Sequence, residues 1–228
     1  MCANGDDEGD PDMRTDEAPT KQQSTRLADY REPDWLIDSV ALDFDLAASA
    51  TRVKANIEFR RNPARAGEGA ADLHLDGRMV TLVSAAVNGQ PVEPELTREG
   101  LRLPAADLPG DQFTWTCETE IDPQANTALE GLYISKAMFC TQCEAEGFRK
   151  ITFYPDRPDV MARFRVRIEA DRVTCPVLLS NGNPVASGDL PDGRHFAEWE
   201  DPHPKPAYLF ALVAGDLVSH DDLSLIHI

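Results

Sequence analysis

Residues 140–159 read Cys-Thr-Gln-Cys-Glu-Ala-Glu-Gly-Phe-Arg-Lys-Ile-Thr-Phe-Tyr-Pro-Asp-Arg-Pro-Asp. Thiols, carboxylates, a side-chain amide, guanidinium groups and aromatic rings crowd into a span with neither a helical nor a clean strand period. Proteins often concentrate functional side chains on such loops. Three kinds of chemistry come to mind. The pair Cys140-x-x-Cys143 suggests zinc or thiol redox work. A closed zinc site needs four ligands, however, and Cys117 and Cys175 are distant single residues rather than a second pair. A redox pair of this spacing belongs in a βαβ setting, whereas its neighbours here read as strands. Two small side chains in a packed loop is the reading kept.

Glu144 and Glu146 lie two residues apart and would share a face of an extended backbone. Paired carboxylates can carry acid/base chemistry, but nothing nearby completes such a mechanism, and Glu146 is expected to pair with Arg149 or Arg157. On residue type alone, Glu144 reads as a turn cap or a partner of Arg149. Asp156-Arg-Pro-Asp159 reads as a proline-stiffened turn locked by Arg157 against a carboxylate. Phe153, Tyr154, Trp199 and Tyr208 read as core.

The same loop carries a family resemblance. Asn-Thr-Ala-Leu-Glu-Gly-Leu-Tyr (126–133), Cys-Thr-Gln-Cys-Glu-Ala-Glu-Gly-Phe-Arg (140–149) and Asp-Arg-Pro-Asp-Val (156–160) resemble the bacterial aminopeptidase N family of zinc metallopeptidases. Leu-Leu-Ser-Asn-Gly-Asn (178–183), Asp-Pro-His-Pro-Lys-Pro (201–206) and Tyr-Leu-Phe-Ala-Leu-Val-Ala-Gly-Asp (208–216) follow in the family's order, and Ala-Asp-Tyr-Arg-Glu-Pro-Asp (28–34) matches its opening. The resemblance covers roughly residues 26–217. It implies a large, mostly antiparallel β domain at the N-terminal end of an enzyme that removes single residues from peptides with a free N-terminus. It also implies that Glu144 helps bind the substrate α-amino group, with Gln142 lining the same pocket. The chemistry is sound: the amine is largely protonated near neutral pH, and a carboxylate in a partly dry cleft pairs with it through a charge-assisted hydrogen bond.

The catalytic signature is absent from the sequence. A zincin needs His-Glu-x-x-His on a helix; none of His74, His195, His203, His220 or His227 is followed by Glu or has a second His four residues on. The family's Gly-Ala-Met-Glu-Asn motif and distal zinc-binding glutamate are missing too. The expectation is therefore an N-terminal domain truncated before its catalytic domain and inactive alone. Zn²⁺ and the catalytic residues would belong to the parent, with the missing domain as the partner in cis. The competing expectation is a stand-alone β-sandwich module that binds a peptide or sugar without catalysis.

The elements that would hold this loop are strands. Val40, Leu42, Phe44 and Leu46 alternate with Ala41, Asp43 and Asp45, the period-2 pattern of a half-buried strand. Residues 53–59, 73–75, 80–87, 101–103, 113–117, 164–168, 177–180, 195–199 and 208–214 add further strands. Asn88-Gly89 and Asn181-Gly182 both read as hairpin turns, because each residue type tolerates positive φ. With strands about every ten residues and no long amphipathic helix, the expected fold is all-β, a large antiparallel sandwich or saddle-like sheet.

Residues 1–25 hold seven acidic and two basic side chains and almost no large apolar ones; such a segment cannot offset its ordering entropy and is expected to be a disordered acidic tail. Residues 26–217 form the β domain, and residues 218–228, where the family pattern fades, are expected to be a stray or truncated tail. A net charge of −18 argues against nucleic acid and against an anionic membrane surface. Five cysteines without close, even spacing, and no signal-like or membrane-spanning apolar run, point to the cytoplasm.

Overall fold

The computed structural model describes residues 26–65 and 67–220. The acidic tail expected over residues 1–25, and residues 221–228 of the expected stray tail, lie outside the described residues. The chain divides into two units, Met1–Arg31 and Glu32–Ile228. In the first, Leu27–Asp29 form one 3₁₀ turn.

The second unit is built of strands. In chain order they are β1 (Trp35–Asp45), β2 (Thr51–Arg61), β3 (Leu73–Asp76), β4 (Thr81–Val87), β5 (Gln90–Pro91), β6 (Glu95–Leu96), β7 (Gly100–Leu103) and β8 (Gln112–Ile121). Then follow β9 (Gly131–Ser135), β10 (Met138–Gln142), β11 (Met161–Asp171), β12 (Val177–Ser180), β13 (Asn183–Asp189), β14 (Arg194–Pro206) and β15 (Leu212–Gly215). They form an eight-stranded sheet in the order β13-β14-β11-β1-β2-β8-β4-β5, a four-stranded sheet β12-β15-β10-β9 and a three-stranded sheet β3-β7-β6. The all-β expectation holds. Among the described residues pairing is antiparallel except between β1 and β11, which run parallel with Val40 opposite Phe164. The parallel pair arises because the chain leaves the large sheet after β8, builds the site region, and re-enters beside β1.

Period-2 alternation explains the core. Val40, Leu42 and Phe44 of β1, Val53, Ala55, Ile57 and Phe59 of β2, Phe113, Trp115 and Cys117 of β8, and Phe164, Val166 and Ile168 of β11 are all buried on one face. The alternate residues carry charge: Arg165 and Arg167 both pair with Glu198 on the wet face. Leu73, Leu75, Leu101 and Leu103 from the three-stranded sheet and Leu132, Phe139, Leu178 and Leu212 from the four-stranded one complete a single apolar cluster with the large sheet. This is a sandwich with one large layer.

Asn88 (φ 49°) and Gly89 (φ 77°) both take the left-handed conformation and turn β4 into β5, as expected of an Asn-Gly hairpin. Gly89→Ala should destabilise the domain by about 1–2 kcal/mol, the cost of forcing an L side chain into that region, read as a lower urea midpoint. Asn181-Gly182 is different. Gly182 has φ 88°, but β12 and β13 belong to different sheets, so this is a crossing between layers rather than a hairpin. The Asn181 side chain accepts the Ala211 N–H (2.7 Å) and donates to the Leu209 carbonyl (3.2 Å), tying the crossing to the chain entering β15. The strand expected over residues 208–214 is shorter in the structure: Ala207–Leu209 form a 3₁₀ turn and β15 begins at Leu212.

Candidate functional site

The loop from Gln142 to Arg149 hangs from the end of β10, which extends further into the 140–159 stretch than its sequence suggested. β10 pairs with β9 on one side, Gln142 opposite Gly131, and with β15 on the other, Cys140 opposite Val213. Thr141 Oγ1 reinforces the β15 edge by accepting the Leu212 N–H at 2.8 Å and donating to the Leu212 carbonyl at 3.3 Å. Beyond Gln142 the backbone turns, with the Glu144–Ala145 peptide bond cis, and closes with the Gly147 N–H donating to the Cys143 carbonyl at 2.8 Å. One 3₁₀ turn, Phe148–Lys150, follows.

Four anchors hold this loop. Phe148 is fully buried against Tyr154, Phe210 and Phe164, with ring centroids 4.8, 5.3 and 6.0 Å away in edge-to-face geometry. Lys150, buried at its stem, pairs with Glu130, whose carboxyl this contact holds below the usual range. Asn126 donates to the carbonyls of Glu130 (2.7 Å) and Leu132 (2.9 Å), and so fixes the start of β9.

The third anchor is steric. A Cβ on Gly147 would lie 2.3 Å from the Gln142 carbonyl oxygen and 2.9 Å from the Gly131 nitrogen, and Gly131 itself needs φ 73°. The two glycines let three backbone segments meet.

The fourth is ionic. Arg149 donates from its backbone N–H (3.1 Å) and Nε (3.2 Å) to Asp156 Oδ2, and from its guanidinium to the Asp156 carbonyl (3.1 Å). The same guanidinium lies 3.4 Å from Glu146 and 3.7 Å from Asp76. Asp76 Oδ2 in turn accepts the Asp156 N–H at 3.0 Å. Burial pushes the carboxyls of both Asp156 and Asp76 above the usual range, with Arg149 opposing it.

Glu146 thus pairs with Arg149, one of its two expected partners. In the Asp156–Asp159 turn, Arg157 grips Asp159 with two bonds of 2.8 and 2.6 Å, so that motif is a locked turn. Phe153 and Tyr154 are core. Gln142 donates its amide to the Glu144 carbonyl oxygen at 3.1 Å. Glu144 is exposed, and among the described residues no hydrogen bond or ion pair engages its carboxylate. It is neither a cap nor a partner of Arg149. An exposed carboxylate with no partner of its own, on a loop whose backbone is anchored, can receive a cation.

Of the four cysteines among the described residues, Cys143, Cys117 and Cys175 are buried and their thiols pushed up chiefly by that burial; Cys140 is half-buried, opposite Tyr133, whose phenol it pushes up by hydrogen bonding. All four are free thiols. Among these four, Cys140 should react with a maleimide on the native protein before the three buried thiols, which should react only on unfolding, measurable by peptide mass spectrometry. Among the described residues no three His, Cys, Asp or Glu side chains are grouped to hold a metal, so these residues do not fit a zinc site. Among them, too, no helix is long and apolar enough to cross a membrane.

A family model described as the peptidase M1 N-terminal domain matches residues 38–209. The chain belongs to the peptidase M1 family. It is 54% identical over 206 residues to the aminopeptidase N of Caulobacter vibrioides, covering 90% of this chain but 23% of that protein. Legionella pneumophila aminopeptidase A, solved in complex with aspartic acid, shares the fold with a TM-score of 0.79 and 36% identity, covering 85% of this chain and 23% of the other. An M1 zinc metallopeptidase from Deinococcus radiodurans, an E323A variant bound to a Tyr-Ser-Ala substrate, matches at 16% identity with a TM-score of 0.68 over 80% of this chain and 42% of that one; this shows the fold alone. The M1 domain therefore spans about a quarter of the length of the bacterial aminopeptidases to which it is similar.

The residues that no sequence signal singled out are the supports: Asn126, Glu130, Gly131 and Lys150 on one side, Asp76 on the other. Asn126, Glu130 and Gly131 sit inside a motif that carries the resemblance, which was the available signal. Asp76 lies 80 residues before Asp156, and no local pattern joins them.

Proposed function

We propose that this domain supplies the substrate-amine recognition loop of a zinc-dependent aminopeptidase, with Glu144 receiving the α-ammonium group and Gln142 ordering the loop beside it. The observation that carries the reading is the exposed, unpartnered Glu144 carboxylate on a loop whose backbone is held at four points. A fixed carboxylate discriminates chain ends from chain interiors, because only the end offers a positive nitrogen; an interior amide is neutral. Holding it rigid lowers the ordering cost on binding. The parent is proposed to carry one zinc ion on residues outside this chain and to remove single N-terminal residues in the cytoplasm, a compartment in keeping with the free thiols. No catalytic step falls to the residues described, so the domain alone is proposed to be inactive.

The test is a calorimetric titration of the full-length protein with a short peptide and its N-acetylated form. The free peptide should bind and the acetylated form should lose affinity by about 10-fold or more, the effect of removing a charge-assisted hydrogen bond. In Glu144→Gln the two should bind alike. Equal binding by the unaltered protein would overturn the reading.

One observation favours the alternative, a binding module. A cleft of about 640 Å³ lies between β12 and the β13–β14 hairpin, lined by Leu178, Val185, Phe196 and Trp199, and β13 offers a free sheet edge there. Saturable binding of a peptide or oligosaccharide that is blocked by Val185→Arg would support it.

A further inference from the structure

We propose that the Asp156–Arg149 clasp, tied to β3 through Asp76, is the positioning device of the amine-recognition loop. The inference rests on the reading of Glu144 above and adds a set of residues acting through it.

The span from Gln142 to Gly147 contains both recognition side chains, yet its own internal bonds are few: the Gln142 amide on the Glu144 carbonyl and the Gly147 N–H on the Cys143 carbonyl. What decides where the span sits is the segment after it. Arg149 is the pivot. Its backbone N–H, Nε and terminal nitrogen all engage Asp156, while its backbone carbonyl accepts the Arg78 N–H at 3.0 Å. Asp156 is itself placed by Asp76, whose backbone bridges Tyr154 in both directions at 2.9 and 3.1 Å. A rigid line of contacts thus runs from the three-stranded sheet through Asp76, Asp156 and Arg149 to the Glu146 carboxylate, on the loop itself.

The charges facing Arg149 are those of Asp76 from β3, Asp156 from the following turn and Glu146 from the loop; Arg157 acts on Asp76 from beyond Asp156. Three carboxylates share one nearly buried guanidinium. One of the three, Glu146, lies two residues from Glu144 on the same loop. The clasp therefore holds the backbone from which Glu144 projects. Asp156, with its side chain almost wholly enclosed, touches no substrate. It acts through Glu144.

Because the role is indirect, the test is a double-mutant cycle in the full-length enzyme, with L-alanine p-nitroanilide as substrate. Asp156→Asn keeps the shape and removes the charge. It should raise KM by about 10-fold with kcat within about twofold, since the amine is held in both ground and transition states. In a Glu144→Ala background the same change should move KM by less than about twofold, because residues acting as one unit are not additive. Asp76→Asn, on a side chain one-third exposed, provides the variant that keeps the fold if Asp156→Asn does not; it should show the same KM rise and the same loss of effect beside Glu144→Ala. A full KM effect in both backgrounds, or none with Glu144 intact, would overturn the positioning role while leaving the amine reading in place. Normal KM in Glu144→Ala alone would remove the amine reading, and the positioning role with it.

Discussion

On the proposed function, Glu144→Ala in the full-length protein should raise KM for peptides with a free N-terminus by about 10- to 100-fold, the range expected when a charge-assisted hydrogen bond shielded from water is lost. Bound zinc, measured by atomic emission on the purified protein, should stay at the level of the unaltered enzyme, because the residues described here form no metal site. The size of the effect depends on desolvation. Glu144 is exposed in this domain on its own; only when a substrate, and whatever covers it, excludes water does the pairing gain strength. The salt dependence follows: the difference between Glu144→Ala and the unaltered enzyme should change little between about 0.05 and 0.5 M salt, since buried pairs are screened far less than exposed ones. Unchanged KM would contradict the assignment.

Gly147→Ala should be the more damaging change, although it adds one methyl group and removes no charge. The new Cβ would meet the Gln142 carbonyl oxygen at 2.3 Å, the Gly131 nitrogen at 2.9 Å and the Cys143 Cα at 3.0 Å. All three are backbone atoms, so no side chain can rotate away. The loop must shift by an amount on the order of 1 Å, and misplacement of that size costs about 100-fold in kcat/KM. Overpacking of this kind also destabilises the fold by about 1–3 kcal/mol. Gly67→Ala is the matched control: a Cβ there meets nothing within 4 Å and no positive φ is required. Its kcat/KM and urea midpoint should stay near the parent values, while Gly147→Ala should lower both. Equal behaviour of the two variants would show that the contact between β9, β10 and the loop does not set the site.

Strands whose two faces differ are legible in the residue types themselves. β1, β2, β8 and β11 each bury alternate residues against the core and wet the others, and the apolar–polar alternation records that contrast. β13 is not legible, because nearly all of Asn183–Asp189 is exposed and the segment has no contrast to show. β14 is legible over residues 195–199, but its second half hides behind Pro202, Pro204 and Pro206. Those prolines are tolerated because β13 pairs only as far as Glu200, so beyond it β14 is an edge on that side. Asn181-Gly182 misleads for a related reason: the turn chemistry is there, but the strands it joins lie in different sheets, which no local signal records.

The site divides in the same way. Glu144 and Gln142 are indicated by their motif rather than by their types, since a glutamate in an acidic loop is ordinarily a surface residue. Arg149 with Glu146, and Arg157 with Asp159, are legible from short spacing. The opposition of Gly131 to Gly147 and of Asp76 to Asp156 depends on how the three-stranded and four-stranded sheets close on the loop. Contacts across that distance in sequence are set by packing, and a single sequence carries little trace of them.

The most direct measurement is a crystal structure of the full-length protein with a free amino acid bound at its active site. The account predicts the ammonium nitrogen at about 2.7–2.9 Å from a Glu144 carboxylate oxygen, with the Asp156–Arg149 contacts kept as they are here. An ammonium group held by other residues, with Glu144 still facing solvent, would contradict it.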